Sequence, residues 1–329
     1  MADSSVKYLG LSLKNPVILS SSGLGSTSEG VKKAMEAGVG AVVLKSLFEE
    51  QLAAEAAAIA GTPGLDAHPE MDAFLSQLGD GAGEYLELIR KAKSLARVPV
   101  IASLNCADEG RWTDFAEQIQ AAGADALELN IGVIPLTISE KSADIEARIV
   151  RTVKAVADKT SLPLAVKLGT GFTNLPGIVS RIAAAGARSV VLFNRFYRLD
   201  LDLAAMSVKA GPARSSRDEY HEALRWTALL YGAIPGPDSS PLEIAAGTGI
   251  HDGETALKLI AAGAQVVQLC STVYQGGYPA ITRIVKEMDE RMDALKIASV
   301  SELRGKLSQR AGAKGESFSR LQYVAALNR

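Results

Sequence analysis

Four times along the chain an amphipathic stretch stops at a glycine and a short apolar run begins. Ala37-Gly38-Val39-Gly40-Ala41-Val42-Val43-Leu44 recurs as Ala122-Gly123-Ala124-Asp125-Ala126-Leu127-Glu128-Leu129, as Ala185-Gly186-Ala187-Arg188-Ser189-Val190-Val191-Leu192, and as Ala262-Gly263-Ala264-Gln265-Val266-Val267-Gln268-Leu269. Glycine just past a helix allows the left-handed backbone that caps it. The short apolar run suits a parallel strand buried on both faces. Four further apolar runs lie at 17–19, 98–104, 162–168 and 242–246, three of them beside Pro99, Pro163 or Pro241. Proline is tolerated at a strand's first residue. Helical patterns intervene at 84–96, 112–122, 143–159, 177–185 and 253–262. Eight strands alternating with helices imply parallel pairing, right-handed crossovers and closure into a (β/α)8 TIM barrel. The expected fold class is therefore α/β, one barrel domain over 1–310 with a C-terminal extension over 311–329. Residues 6–9 and 11–13, flanking Gly10, read as a hairpin that closes the barrel bottom. Two long connections, 46–83 (with an Ala-rich helix at 53–60) and 195–240, read as covers of the active face.

Barrels of this kind do their chemistry where the strands end at the C-terminal face. The predicted ends are Ser21-Ser22-Gly23, Lys45-Ser46, Asn105-Cys106, Asn130, Lys167, Asn194-Arg195, Gly247-Thr248-Gly249 and Cys270-Ser271, and the strand bodies read as apolar. Ser, Asn and Gly are common wherever strands turn into loops. Lysine is not, because a buried ammonium is costly unless paired. Lys45 and Lys167 together therefore suggest a bound anion or an electron-rich ligand. Backbone N–H groups of Gly247-Thr248-Gly249 and Cys270-Ser271 stand where barrels commonly hold a phosphate, after strands seven and eight.

Composition narrows the class of partner. Lys and Arg number 35 against 37 Asp and Glu, a net charge of −2, so no broad field attracts nucleic acid or anionic lipid. Two cysteines in 329 residues do not make a disulfide framework, which favours a reducing cytoplasm. The polar start, Met1 to Lys7, lacks the apolar core of a signal peptide, and no run is long and apolar enough to span a membrane. No clustered His, Cys and carboxylate spacing suggests a metal.

The chain resembles the dihydroorotate dehydrogenase family, particularly its soluble class 1 branch. The resemblance runs from Tyr8-Leu9-Gly10-Leu11 and Lys14-Asn15-Pro16 through Ser21-Ser22-Gly23, Leu44-Lys45-Ser46, Glu128-Leu129-Asn130 and Val166-Lys167-Leu168. It continues to Gln268-Leu269, Gly277-Tyr278-Pro279-Ala280-Ile281 and Leu303-Arg304-Gly305-Lys306-Leu307. The resemblance implies FMN as cofactor. Ser21, Ser22, Lys45 and Ser46 would contact the flavin, Asn105 and Asn194 would lie at its edge, and Asn130 and Lys167 would reach the ring and ribityl chain. Gly247, Thr248, Gly249, Cys270 and Ser271 would hold the phosphate side. A lysine at the ring's N1–C2=O edge stabilises the negative charge of reduction. The resemblance also implies a homodimer acting on a small molecule, with neither membrane nor nucleic acid as partner.

One loop departs from the family. After the fourth strand the class 1 pattern is Asn, apolar, Ser, Cys, Pro, Asn, with the Cys as base; here it is Asn130-Ile131-Gly132-Val133-Ile134-Pro135. Val133 falls at the base position and cannot take a proton, and Pro135 falls where an Asn would bind the pyrimidine. After the sixth strand Asn194-Arg195-Phe196-Tyr197 stands where the family has Asn-Ser. Cys106 and Tyr197 are substitute proton-transfer candidates, although a lone Cys is more often a small buried core residue. The catalytic set expected is Lys45, Asn130, Asn194 and Cys106. The expected function is an FMN oxidoreductase moving a hydride between a small, anionic substrate and flavin. Three alternatives stay open: a true dihydroorotate dehydrogenase of pyrimidine biosynthesis with a substitute base, a non-catalytic flavin-binding barrel, or a Schiff-base aldolase using Lys45 or Lys167.

Overall fold

The structure, a computed structural model, describes residues 2–48, 81–106, 112–135, 137–195 and 198–311, together with 324 and 327; the side chains of Cys106 and of 112–114 are not included. The expected helix at 53–60, Tyr197, His68 and most of the C-terminal extension fall outside the described residues.

The chain opens with a hairpin, β1 (Val6–Tyr8) and β2 (Leu11–Leu13), followed by β3 (Val17–Leu19), α1 (Ser28–Glu36), β4 (Ala41–Val43) and the short β5 (Leu47–Phe48). Then come α2 (Ala82–Leu95), β6 (Val100–Cys106), α3 (Trp112–Ala121), β7 (Ala126–Ile131), α4 (Ser142–Ala157), β8 (Leu164–Leu168), α5 (Leu175–Ala184) and β9 (Ala187–Leu192). The connection after β9 holds a second hairpin, β10 (Leu199–Asp202) and β11 (Ser207–Ala210), before α6 (Tyr220–Leu230). The last units are β12 (Glu243–Gly247), α7 (Gly253–Ala262), β13 (Val266–Leu269), α8 (Ser271–Gly276), α9 (Pro279–Ala294) and α10 (Val300–Leu303).

Strands β3, β4, β6, β7, β8, β9, β12 and β13 pair in parallel in that order, and β13 returns to β3. This is the closed eight-stranded (β/α)8 barrel that the alternation predicts. Each glycine of the fourfold junction lies at positive φ, from 95° to 131°, the conformation for which glycine carries no Cβ penalty. Helix starts are equally local: Thr27, Asn174 and Asp252 accept from the N–H groups of Gly30, Gly177 and Thr255. Helix α5 then buries Leu175, Ile178, Val179 and Ile182 against the barrel, each such side chain contributing about 1.5–3 kcal/mol.

Two features differ from the sequence reading. The third barrel strand runs over Val100–Cys106 instead of 98–104. Pro99 has no N–H to give the ladder, and only its carbonyl takes part, accepting from Val42 N at 3.1 Å. Asn105 and Cys106 are consequently inside the strand. The strand bodies are also not wholly apolar, for Ser103, Glu128, Lys167, Ser189 and Gln268 are buried within them.

The bottom hairpin sits where expected. Tyr8 is fully buried and its hydroxyl accepts from Ser189 Oγ at 3.0 Å, while Leu9 N donates to Glu243 Oε2 at 2.6 Å. Ser189 and Glu243 lie at the beginnings of β9 and β12. Sealing that end leaves the opposite face for the site.

Candidate active site

On adjacent strands β6, β7 and β8, Asn105 stands opposite Asn130, and Asn130 opposite Lys167. Asn194, just past β9, joins this tier: its backbone N–H donates to Leu168 O at 2.7 Å and its Nδ2 to Asn130 Oδ1 at 2.9 Å. Parallel register thus brings four of the predicted polar residues to one level.

Beneath that level lies a buried polar network. Lys167 Nζ donates to Ser20 Oγ at 3.1 Å and reaches Gln268 Oε1 at 3.5 Å and Glu128 Oε1 at 3.7 Å. Ser20 Oγ donates to Gln268 Oε1 at 2.9 Å, and Gln268 Nε2 donates to Glu128 Oε2 at 2.6 Å. Glu128 is 1% exposed and Lys167 8%. The sequence reading assigns the partner of a buried lysine to a bound anion; for Lys167 the protein supplies it, in Glu128. Beside them Ser46 Oγ is within 3.0 Å of Ser21 Oγ and 2.8 Å of Ser103 Oγ. Tyr85 on α2 donates to Ser103 O at 3.0 Å and accepts from Ser103 N at 2.7 Å. Burial pushes its phenol well above the usual range, helped by the Glu128 charge, so it stays neutral.

The far side of the mouth is made of backbone and hydroxyl groups. Gly249 N donates to Ser215 Oγ at 3.1 Å, and Ser215 N donates to Ser271 Oγ at 2.9 Å. A Cβ on Gly249, which sits at φ +74°, would strike the Tyr220 backbone nitrogen. His251 Nε2 lies 3.0 Å from Ser215 O; since a carbonyl only accepts, Nε2 carries the proton. Burial lowers the His251 pKa, and the ring is neutral. A cavity opens here, lined by Ser20, Ser21, Lys167, Asn194, Arg195, Ser215, Gln268, Gly247–Gly249 and Cys270–Ser271, with Phe193 and Ile250 among the apolar members.

Cation density is high around this cavity. Arg195 Nε donates to Glu219 Oε2 at 2.9 Å and Arg198 Nη2 to the same oxygen at 2.7 Å, two guanidinium groups on one carboxylate. Burial alone would raise the Glu219 pKa; the Arg195 bond, the Ser216 N–H and both arginine charges outweigh it and hold the carboxyl below its ordinary value. Burial pushes the Cys270 thiol up, an effect that the charges of Lys167, Arg214 and Arg195 offset only in part. Cys270 is accordingly a thiol, not a thiolate, at neutral pH.

Not every predicted residue lines the cavity. Ser22, Lys45, Ser46, Asn105 and Asn130 lie near or below it without forming its wall. Lys45 is half-buried just past β4, its backbone N–H donating to Gly25 O at 3.2 Å. Cys106 ends β6 opposite Ile131, and its side chain is outside the described set. Val133 and Pro135 line a different cavity, with Ile131, Ile145, Ile149 and Phe172, between the loops after β7 and β8 and helix α4. His221 is exposed and bonds its own backbone neighbour, Asp218 O.

Sequence reasoning missed Ser20, Glu128, Gln268 and Ser215. Glu128 and Gln268 carried a signal, since each interrupts an apolar strand with a polar residue on the inward register. Ser215 carried none: it sits in a long connection, and only folding brings it between Gly249 and Ser271.

Comparison with known proteins agrees with this architecture. Residues 4–292 match the model of the dihydroorotate dehydrogenase family. A Thermoplasma acidophilum protein named dihydroorotate dehydrogenase B (NAD(+)), catalytic subunit, is 26% identical over 327 residues, covering 93% of this chain and 99% of its own. A Methanosarcina acetivorans protein of the same name is 30% identical over 282 residues, covering 80% of this chain and 84% of its own. A putative dihydroorotate dehydrogenase A (fumarate) of Aeropyrum pernix is 26% identical, covering 86% of this chain and 90% of its own. With a match that takes in barrel, bottom hairpin and every strand end of the site, this chain belongs to the dihydroorotate dehydrogenase family.

Proposed function

We propose that this barrel is an FMN-dependent oxidoreductase that moves a hydride between a small anionic substrate and the flavin. The observation that carries the reading is the cavity in which Lys167, Asn194 and Ser21 share a wall with Gly247–Gly249, Cys270 and Ser271. Its donor set fits a phosphorylated flavin. Gly249, whose Cβ position is filled by backbone, keeps its amide at the wall, and the Ser215 hydroxyl that accepts from it retains a proton to donate. Ser271 opens α8 at the same point. At the other end Lys167, held by Ser20 and Gln268, would face the ring and stabilise negative charge there. Bound flavin supplies the two-electron chemistry. The protein's own residues bind and orient it: Asn130 and Asn194 fix each other's amides, and Phe193 and Ile250 exclude water.

The proton is the open point of the chemistry. Val133 at the family's base position has no group to accept it and lines a cavity with Ile145 and Ile149. The relatives named dihydroorotate dehydrogenase support dihydroorotate as the first substrate to try; the loop supports a different small anion. Cytoplasmic location and a homodimer complete the proposal; among the described residues no helix is long and apolar enough to cross a membrane.

A visible spectrum of the purified protein, followed by anaerobic dihydroorotate, tests this. Flavin bands that persist with dihydroorotate and bleach with another small acid are the expected result. Absence of flavin overturns the cofactor. Rapid bleaching by dihydroorotate shows that another group takes the proton, with Cys106 the first residue to replace.

A further inference from the structure

Lys167 carries the only ammonium among the described residues that line the candidate cavity, and it is not alone behind that wall. Glu128 lies 3.7 Å from Nζ and is 1% exposed, and it takes no part in lining the cavity. Its Oε2 is held by Gln268 Nε2 at 2.6 Å, while its Oε1 is buried with no hydrogen bond and faces only the ammonium charge. Gln268 in turn orients both neighbours: its Oε1 accepts from Ser20 at 2.9 Å and lies 3.5 Å from Lys167. A carboxylate so placed does not touch a ligand in the cavity. What it offers the cavity is its charge and its hold on Lys167.

We propose that Glu128, fixed by Gln268, is a positioning and potential-setting residue. It pins the Lys167 ammonium at the cavity wall and cancels part of its charge, so that a flavin bound there is less easily reduced than Lys167 alone would make it. This rests on the flavin reading above. The physical basis is that charges in a partly buried site act over several ångströms at an effective dielectric near 20. A wholly buried carboxylate beside a single ammonium therefore subtracts from what that ammonium offers to negative charge developing on a ring. The Gln268 bond prevents the carboxylate from turning away. The same arrangement explains why the barrel interior tolerates Glu128 at all, since a buried charge persists only with a partner and fixed hydrogen bonds.

The test is the two-electron reduction potential of bound FMN, measured against an indicator dye in the full-length protein. In Glu128→Gln the ratio of reduced to oxidised flavin at a fixed potential should rise about tenfold, which is about 30 mV for a two-electron couple. Glu128→Asp keeps the charge and should stay near wild type. Equal shifts in the two variants would make the role one of packing and overturn the proposal, as would an unchanged potential in Glu128→Gln. If Glu128→Gln does not fold, Lys167→Gln and the neutral pair Glu128→Gln/Lys167→Gln are compared. The neutral pair leaves no unpaired buried charge, and its potential should lie above that of Lys167→Gln and below wild type; equality with Lys167→Gln would overturn the proposal. A wild-type protein that binds neither FMN nor riboflavin would overturn the flavin reading itself, a result distinct from a flavin whose potential ignores residue 128.

Discussion

The two halves of the barrel mouth have been treated differently. At the β12–β13 side, Gly249, Ser215, Ser271 and His251 form a chain of bonds in which the Ser215 and Ser271 hydroxyls accept from backbone N–H groups and the His251 ring meets the Ser215 carbonyl. At the β7 side, the loop after Asn130 reads Ile131-Gly132-Val133-Ile134-Pro135 with no polar side chain, and Val133 lines a separate cavity beside α4. The first side can hold the invariant part of a ligand. The second is where proton transfer and substrate selection would be done, and it offers neither a base nor a side-chain hydrogen-bond donor from 131 to 135.

The sharpest way to break this contrast is kinetic. Flavin reduction by dihydroorotate should be about 10²–10⁴-fold slower than in relatives with a thiol or hydroxyl at the Val133 position, the usual contribution of a general base. Val133→Cys should recover little of that loss, because residue 133 lines the cavity shared with Ile145, Ile149 and Phe172 and is not among the residues lining the cavity of Lys167. Stopped-flow absorbance reads both, and full recovery in Val133→Cys would show that the loop differs in one residue only.

Next in size is the network beneath the mouth. Lys167→Met should lower the unfolding free energy by about 3–5 kcal/mol, because it strands Glu128 without a partner. Lys167→Met/Glu128→Gln should regain most of it in urea titrations. If the single and double variants are equally unstable, the pair is not what holds this region together.

A smaller loss, about 2–3 kcal/mol, is expected for Gly249→Ala, which places a side chain at positive φ against the Tyr220 backbone. The same change should weaken FMN more than riboflavin, which lacks the phosphate; equal weakening of both would move the phosphate away from Gly249.

Smallest is an acid-side effect at the rim. The Glu219 carboxyl is held below its ordinary value in the folded protein. A depressed folded value means that the stability it contributes is fully present above the unfolded value and is lost as pH falls through the folded one. Urea midpoints of wild type and Glu219→Gln should therefore differ most above about pH 5 and converge as pH drops below 4. A gap that stays constant down to pH 3 would mean that the Arg195 and Arg198 contacts do not depend on the carboxylate charge.

The barrel was legible because its signals are local. The four glycine junctions, the prolines at strand starts and the alternation of strand and helix each depend on a few neighbouring residues, and the eight strands followed from them. Strand ends were legible in kind, since Lys167, Asn194, Gly247–Gly249 and Cys270–Ser271 do meet at one cavity. The partner of Lys167 was not. Glu128 is 39 residues away along the chain and Gln268 101, and only closure of the barrel makes them neighbours. A buried lysine therefore pointed to a ligand and not to its partner inside the barrel.

By itself the sequence determined the fold, the family and the types of residue at each strand end, because turn chemistry, capping and hydrophobic period act within one strand–helix unit. Tertiary structure alone decided which polar groups satisfy one another. It assigned Glu128 to Lys167, inserted Ser215 between Gly249 and Ser271, and placed Val133 in a cavity apart from that of Lys167. Hydrogen bonds and ion pairs between distant segments depend on strand register and on how the barrel closes, and no stretch of chain shorter than the whole barrel fixes those.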